Sequence, residues 1–227
     1  MVDVAVVDYG MGNLRSVAKA IEHVAPRLKV EVTGEAREVL RAARVVFPGQ
    51  GAMPDCMREM EARGLREAVV EAAGTKPFLG ICIGLQMLFE ASEEGDTPGL
   101  ALLPGRVRRF PAESMVDDRG ARLKVPHMGW NEVRQVVEHP LWQGIPQGSR
   151  FYFVHSYFPV PGRRELTAGE ASYGVTFTCA AARGNVFAVQ FHPEKSAEAG
   201  LRLLANFVEW EPAARRGARS TAASPAA

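Results

Sequence analysis

Apolar positions in the first half of the chain switch between two spacings. Val2–Val7 (VDVAVV) is a short apolar run that stops at Asp8, and Tyr9–Asn13 (YGMGN) is a glycine-rich turn. Leu14, Val17, Ala18, Ile21 and Val24 then recur at intervals of three and four, which puts them on one face of a helix. The alternation repeats. Leu28–Val32 reads as a strand, Val39–Ala43 as a short helix and Arg44–Phe47 as a strand stopped by Pro48-Gly49. Pro54–Ala73 carries Met57, Met60, Leu65, Ala68 and Val69 at helical spacing; Pro77–Cys82 is a strand, and Leu85–Phe89 opens a further helix. Strands that alternate with helices predict βαβ units and a mostly parallel sheet flanked by helices, an α/β fold.

The pattern changes after about residue 100. Arg106–Phe110, Arg122–Val125 and Arg150–Val154 are strand-like, and Val175–Ala182 with Val186–Phe191 flank Arg183-Gly184-Asn185 as a hairpin. Antiparallel strands are therefore expected in the second half. Ser196–Trp210 reads as a last helix with Ser196 as its N-cap. Residues 1–210 read as one domain, and the small, polar stretch 211–227 as a disordered tail.

Composition removes several classes of function. The 227 residues are 47% hydrophobic and 23% charged, with 27 basic against 26 acidic side chains, a net charge of +1. That balance makes no electrostatic case for nucleic acid or an anionic membrane. No apolar run reaches the ~20 residues that span a bilayer, and the N-terminus lacks a basic signal region, so a cytoplasmic protein is expected. Three scattered cysteines, Cys56, Cys82 and Cys179, suit neither a disulfide framework nor a zinc site. Arg106, Arg108 and Arg109 read as a solvated edge strand, and Met53, Met57 and Met60 as core filling.

The most informative segment is Gly80-Ile81-Cys82-Ile83-Gly84, set between an apolar strand and a helix. A nucleophile on a sharp strand-to-helix turn needs small neighbours. The free N–H groups that open the helix favour a thiolate and, later, an oxyanion. A buried cysteine at a strand end is the competing reading. A base is available in Gln190-Phe191-His192-Pro193-Glu194. Residues two apart in an extended segment point the same way, so Glu194 can orient the His192 ring while His192 faces Cys82. Pro48-Gly49-Gln50-Gly51 offers a backbone N–H that can approach a ligand closely.

PGQG, GICIGLQ and FHPE in that order resemble the class I, triad-type glutamine amidotransferase domain. YGMGNLRSV, PHMGWN (Pro126–Asn131), FYFVHSY (Phe151–Tyr157) and QFHPEKS narrow the resemblance to the glutaminase subunits of imidazole glycerol phosphate synthases, over about residues 2–210. The resemblance implies Cys82 as nucleophile, His192 as base and then acid, and Glu194 as orienter. It implies backbone donors at Gln50 and Ile83 for the oxyanion, and Gly49, Gly51, Gln86, His155 and Ser156 around L-glutamine. It also implies Asn13, Trp130, Asn131, Tyr152 and Lys195 at the interface with a (β/α)8-barrel cyclase subunit, in a heterodimer that needs no metal or other cofactor. An apolar residue is expected where Gln50 stands, but the donor there is a backbone N–H. Two other readings compete: an amidotransferase subunit for a different synthase, which PHMGWN opposes, and a catalytically silent regulatory member, which intact Cys82, His192 and Glu194 oppose.

Overall fold

In the computed structural model, which describes residues 2–117 and 119–212, the alternation of the first half becomes regular βα structure. β1 (Val4–Val7), α1 (Leu14–Val24), β2 (Val30–Thr33), α2 (Ala36–Arg41), β3 (Arg44–Gly49), α3 (Met53–Ala62), α4 (Arg66–Thr75), β4 (Phe78–Cys82) and the single turn α5 (Ile83–Gln86) follow one another. The second half is mostly strand. It runs β5 (Phe89–Ser92), β6 (Thr97–Pro98), β7 (Leu103–Arg109), β8 (His127–Glu132), β9 (Arg134–Gln135), β10 (Arg150–His155), β11 (Tyr157–Pro161), β12 (Thr167–Tyr173), β13 (Val175–Arg183) and β14 (Val186–Val189), and then α6 (Ala197–Glu209).

Eight strands form one sheet in the order β2-β1-β3-β4-β14-β13-β12-β9. The first five are parallel neighbours; β13, β12 and β9 continue antiparallel. β1, β4 and β14 are buried at every position, as strands covered on both faces must be, which is why they read as continuous apolar runs. The insertion of β14 beside β4 decides the function. It draws the far end of the chain next to the GICIG turn, with Val189 paired to Ile81 and, on the other side, Gly49 paired to Cys82. Three chain segments thus end together at the carboxyl edge of the parallel strands, where open α/β sheets bind ligands. The remaining strands form a four-stranded sheet (β11-β7-β5-β6) and the pair β10-β8.

Several expectations need correction. The run Pro54–Ala73 is two helices, because Gly64 turns the chain with φ +64° between α3 and α4. No helix opens at Leu85–Phe89: α5 stops at Gln86 and Phe89 begins β5. Arg122–Val125 contributes only one isolated bridge, Val116 to Arg122. Ser196 occupies the N-cap of α6 but caps nothing; its Oγ donates to the His192 carbonyl at 2.6 Å and accepts from the Tyr152 N–H at 3.0 Å. The arginine-rich β7 is no edge, since it runs between β11 and β5, and its Arg108 pairs with Glu93 at 3.4 Å. The hairpin forms with Gly184-Asn185 as its loop, and Met53, Met57 and Met60 are buried. Residues 213–227, which hold most of the expected tail, lie outside the described residues. No helix among the described residues is long and apolar enough to cross a membrane.

Candidate active site

Cys82 ends β4 with φ +56° and ψ −111°, a left-handed conformation that costs a non-glycine residue of order 1–3 kcal/mol. Its surroundings impose that turn. A Cβ on Gly84 would lie 1.9 Å from the Phe47 carbonyl oxygen, and one on Gly80 would lie 2.9 Å from the Ala188 Cβ. Both glycines of the Gly-x-Cys-x-Gly motif therefore serve packing: β4 and α5 approach β3 and β14 as closely as backbone allows. The strain presents Cys82 at the mouth of α5, one turn long, where the Ile83 N–H begins the helix.

His192 follows β14, and Pro193, Glu194 and Lys195 form a short 3-10 turn behind it. His192 Nδ1 lies 2.9 Å from Glu194 Oε1, with the two side chains only 5% and 1% exposed. The predicted orienting contact is thus formed, although by a turn and not by an extended segment. Burial on its own would lower the His192 pKa; the pull of Cys82 and of Glu194 outweighs it and raises the pKa to about 10. His192 Nε2 has no hydrogen-bond partner among the described residues, whereas its Nδ1 is bonded to Glu194. The other two thiols are unlike this one. Burial pushes Cys56 up to about 11 and Cys179 well above the usual thiol range, which leaves both unreactive near neutrality.

One cavity of about 330 Å³ gathers most of the predicted residues: Gln50, Gly51, Cys82, Ile83, Gln86, His155, Ser156, His192 and Lys195 all line it. Gly49 does not. A Cβ there would meet the Tyr9 hydroxyl at 2.5 Å and the Ile83 Cβ at 2.8 Å, so Gly49 lets the PGQG loop close onto α5 and does not face a ligand. The loop is held from both sides. The Tyr9 hydroxyl donates to the Pro48 carbonyl at 2.8 Å, and the Cys56 thiol to the Gln50 carbonyl at 3.4 Å.

Gln190 is a site residue that sequence reasoning passed over. It is fully buried; its Oε1 accepts from Gln86 Nε2 at 3.1 Å, and its Nε2 approaches the Cys82 sulfur at 3.8 Å. The signal was present, since Gln190 stands two positions before His192. Gln86 Oε1 is buried with no partner among the described residues, an acceptor left free beside the nucleophile.

The residues expected at an interface divide. Trp130 is 45% exposed and Met128, two positions away on the same face of β8, is 63% exposed. Tyr152 pairs with Trp130 across β10-β8, ring to ring at 6.1 Å. Lys195 is exposed at the cavity rim. Asn13 sits at the N-cap of α1 yet makes no capping bond. Asn131 is turned inward: its Nδ2 donates to the Ser172 carbonyl at 2.8 Å and its Oδ1 accepts from the Glu132 N–H at 2.8 Å.

Two further histidines adjoin the site. Burial lowers the pKa of His127 to about 4 and of His155 to about 3, from an ordinary 6.5. The unfolded chain therefore binds more protons than the folded one below pH 6.5, and these two groups lose stability as pH falls from 6.5 through about 4 to about 3. His192 acts oppositely: its contribution is complete below pH 6.5 and is lost as pH rises through about 10. Urea-unfolding midpoints measured against pH are expected to peak near 6.5 and to fall on both sides. A midpoint that is level between pH 6.5 and 10 would contradict the raised His192 pKa.

A family model for class-I glutamine amidotransferases matches residues 5–210, and the chain belongs to that family. Among solved structures, it aligns with a glutamine amidotransferase at TM-score 0.64 and 18% identity, covering 91% of this chain and 99% of the other. It aligns with the glutaminase domain of Trypanosoma brucei CTPS at TM-score 0.60 and 16% identity, covering 94% and 96%; at such identities the likeness concerns the fold. Closer relatives define its place. It is 68% identical over 212 residues to imidazole glycerol phosphate synthase subunit HisH of Aromatoleum aromaticum, covering 93% of this chain and all of the relative. It is 67% identical over 211 residues to the same subunit of Thiobacillus denitrificans, covering 93% and 92%. Within the amidotransferases, the chain therefore stands among the HisH subunits of imidazole glycerol phosphate synthase.

Proposed function

We propose that this chain hydrolyses the side-chain amide of L-glutamine at Cys82 and supplies the ammonia to a cyclase subunit, within the histidine-biosynthetic synthase. The observation that carries the reading is a strained cysteine facing a buried His192–Glu194 pair inside one small cavity. His192 takes the Cys82 proton before the sulfur attacks the amide carbon, as its raised pKa requires. The backbone N–H groups of Ile83 and Gln50 hold the oxyanion, a contribution typically worth ~10²–10³ in turnover per donor. His192 returns the proton to the leaving ammonia, and water then hydrolyses the glutamyl thioester. Glu194 keeps the ring in one tautomer and stabilises its charge. Gln86 Oε1, His155 and Ser156 surround the head group of the amino acid.

The exposed Met128 and Trp130, with Tyr152 behind them, form the face we assign to the (β/α)8-barrel partner. A large aromatic flanked by apolar surface is the usual anchor of such an interface. Uncoupled hydrolysis would waste glutamine, so the Gln50 donor is expected to reach its productive orientation only when the liganded partner is docked; the backbone freedom at Gly51, which sits at φ +101°, permits that movement. The test is glutamate release by the chain alone and then with the cyclase and its ribonucleotide ligand. Low release alone and strong activation by the liganded partner are expected. Fast hydrolysis that ignores the cyclase would retain the Cys-His-Glu chemistry and overturn the gating.

A further inference from the structure

His155 lines the cavity, and behind it stands a second histidine, His127, for which the reaction has no direct use. His127 on β8 and His155 on β10 are opposite each other in the strand register, and both are buried. His127 Nδ1 lies 3.0 Å from His155 Nε2. Two neutral rings can bond there only if one nitrogen carries hydrogen and the other a lone pair. The outer nitrogens decide which. His155 Nδ1 is 2.8 Å from the Tyr157 carbonyl, which only accepts, so Nδ1 holds the hydrogen and Nε2 is bare. At the other end, Asn131 Nδ2 is 3.4 Å from His127 Nε2. The Asn131 amide is already oriented by the Ser172 carbonyl and the Glu132 N–H, so the group it turns to His127 is an N–H and that Nε2 is bare too. Both ends require the same answer: each ring carries its hydrogen on Nδ1, and the bonds run one way.

The chain of contacts continues to the nucleophile. The Tyr157 carbonyl also accepts from Gln86 Nε2 at 3.1 Å. Gln86 Nε2 bonds Gln190 Oε1, and Gln190 Nε2 approaches the Cys82 sulfur. We infer that His127 is a positioning residue of the glutamine site: its Nδ1–H locks His155 as the Nδ1–H tautomer, which holds the Tyr157 carbonyl and the Gln86–Gln190 amide pair facing Cys82. The relay starts on β8, between the exposed Met128 and the cavity wall, so a strand that meets solvent on one face fixes hydrogen bonds at the nucleophile on the other.

The test has two arms. Ring-nitrogen NMR of the full chain labelled with ¹⁵N-histidine separates protonated from bare nitrogens. Nδ1–H is expected for both His127 and His155, and this arm does not depend on the glutaminase reading. The kinetic arm does rest on that reading. His127→Phe keeps a flat ring stacked between Phe153 and Tyr173 and deletes the donor, leaving a buried acceptor on His155 unpaired. With the cyclase and its ligand present, KM for glutamine is expected to rise about tenfold, and His155 Nε2–H to appear in the spectrum. His127→Asn, whose amide N–H takes the place of Nδ1–H, is expected to stay within about threefold of the parent. A bare His155 Nδ1 in the parent chain would overturn the proposal, as would a folded His127→Phe variant with unchanged KM and unchanged His155 signals. Should His127→Phe not fold, the parent spectrum and the His127→Asn variant decide. A complex that releases no glutamate at all counts against the functional reading, and the tautomers then still decide this one.

Discussion

Cys82→Ala is expected to lower glutamine hydrolysis by roughly 10⁴-fold or more, the scale on which removal of a covalent nucleophile acts. The size follows from the absence of a substitute. Cys56 and Cys179 are buried thiols whose pKa values are pushed up by that burial, and neither is among the residues lining the cavity. Binding of the cyclase is expected to be unchanged, because Cys82 is 4% exposed and does not belong to the Met128–Trp130 face. Glutamate release and partner titration on the same preparation check both statements. Retained hydrolysis would remove Cys82 from its role, and lost partner binding would mean that the substitution had disturbed the fold.

Gly84→Ala is expected to destabilise the protein by roughly 3 kcal/mol or more, well beyond an ordinary surface change. Its new Cβ would lie 1.9 Å from the Phe47 carbonyl, which is backbone of β3 and cannot swing aside. Relief requires β3 and α5 to separate. That movement displaces the Ile83 N–H and the PGQG loop together, so activity falls along with stability. A denaturant midpoint for Gly84→Ala compared with Gly74→Ala measures the effect: Gly74 lies within α4, where an added Cβ would point into open space and alanine is the better helix former. Equal midpoints for the two variants would contradict the steric account.

Much of the catalytic group was legible because its chemistry depends on local backbone. Gly80 and Gly84 announce a turn that admits no side chains, and the two-residue offset of His192 and Glu194 announces an oriented base. Glu194 makes the contact that the two-residue offset predicts, but by another route: Pro193 starts a 3-10 turn that brings the carboxylate to Nδ1. The structure departs from the sequence pattern where that pattern is locally ambiguous. A short apolar stretch such as Leu85–Phe89 suits helix or strand equally; its first two residues end α5, and Phe89 begins a strand by pairing with Leu103 of β7. One helical periodicity ran through Pro54–Ala73, yet a positive φ at Gly64 divided it.

By itself the sequence determined which residues have the chemistry to act: a cysteine between glycines, a histidine with a carboxylate two positions on, and a glycine loop after a strand. Those signals are short-range, and short-range sterics and periodicity write them directly into the order of residues. Only the tertiary structure decided that they meet. Cys82 and His192 are brought together because β14 pairs with β4 after the chain has made the antiparallel second half, a pairing that no spacing along the chain specifies. The same holds for Gln190, whose amide joins Gln86 and Cys82, and for the His127–His155 pair, which only strand register aligns. Long-range pairing is selected by the burial of whole strands against one another, and it set the hydrogen-bond directions around the nucleophile.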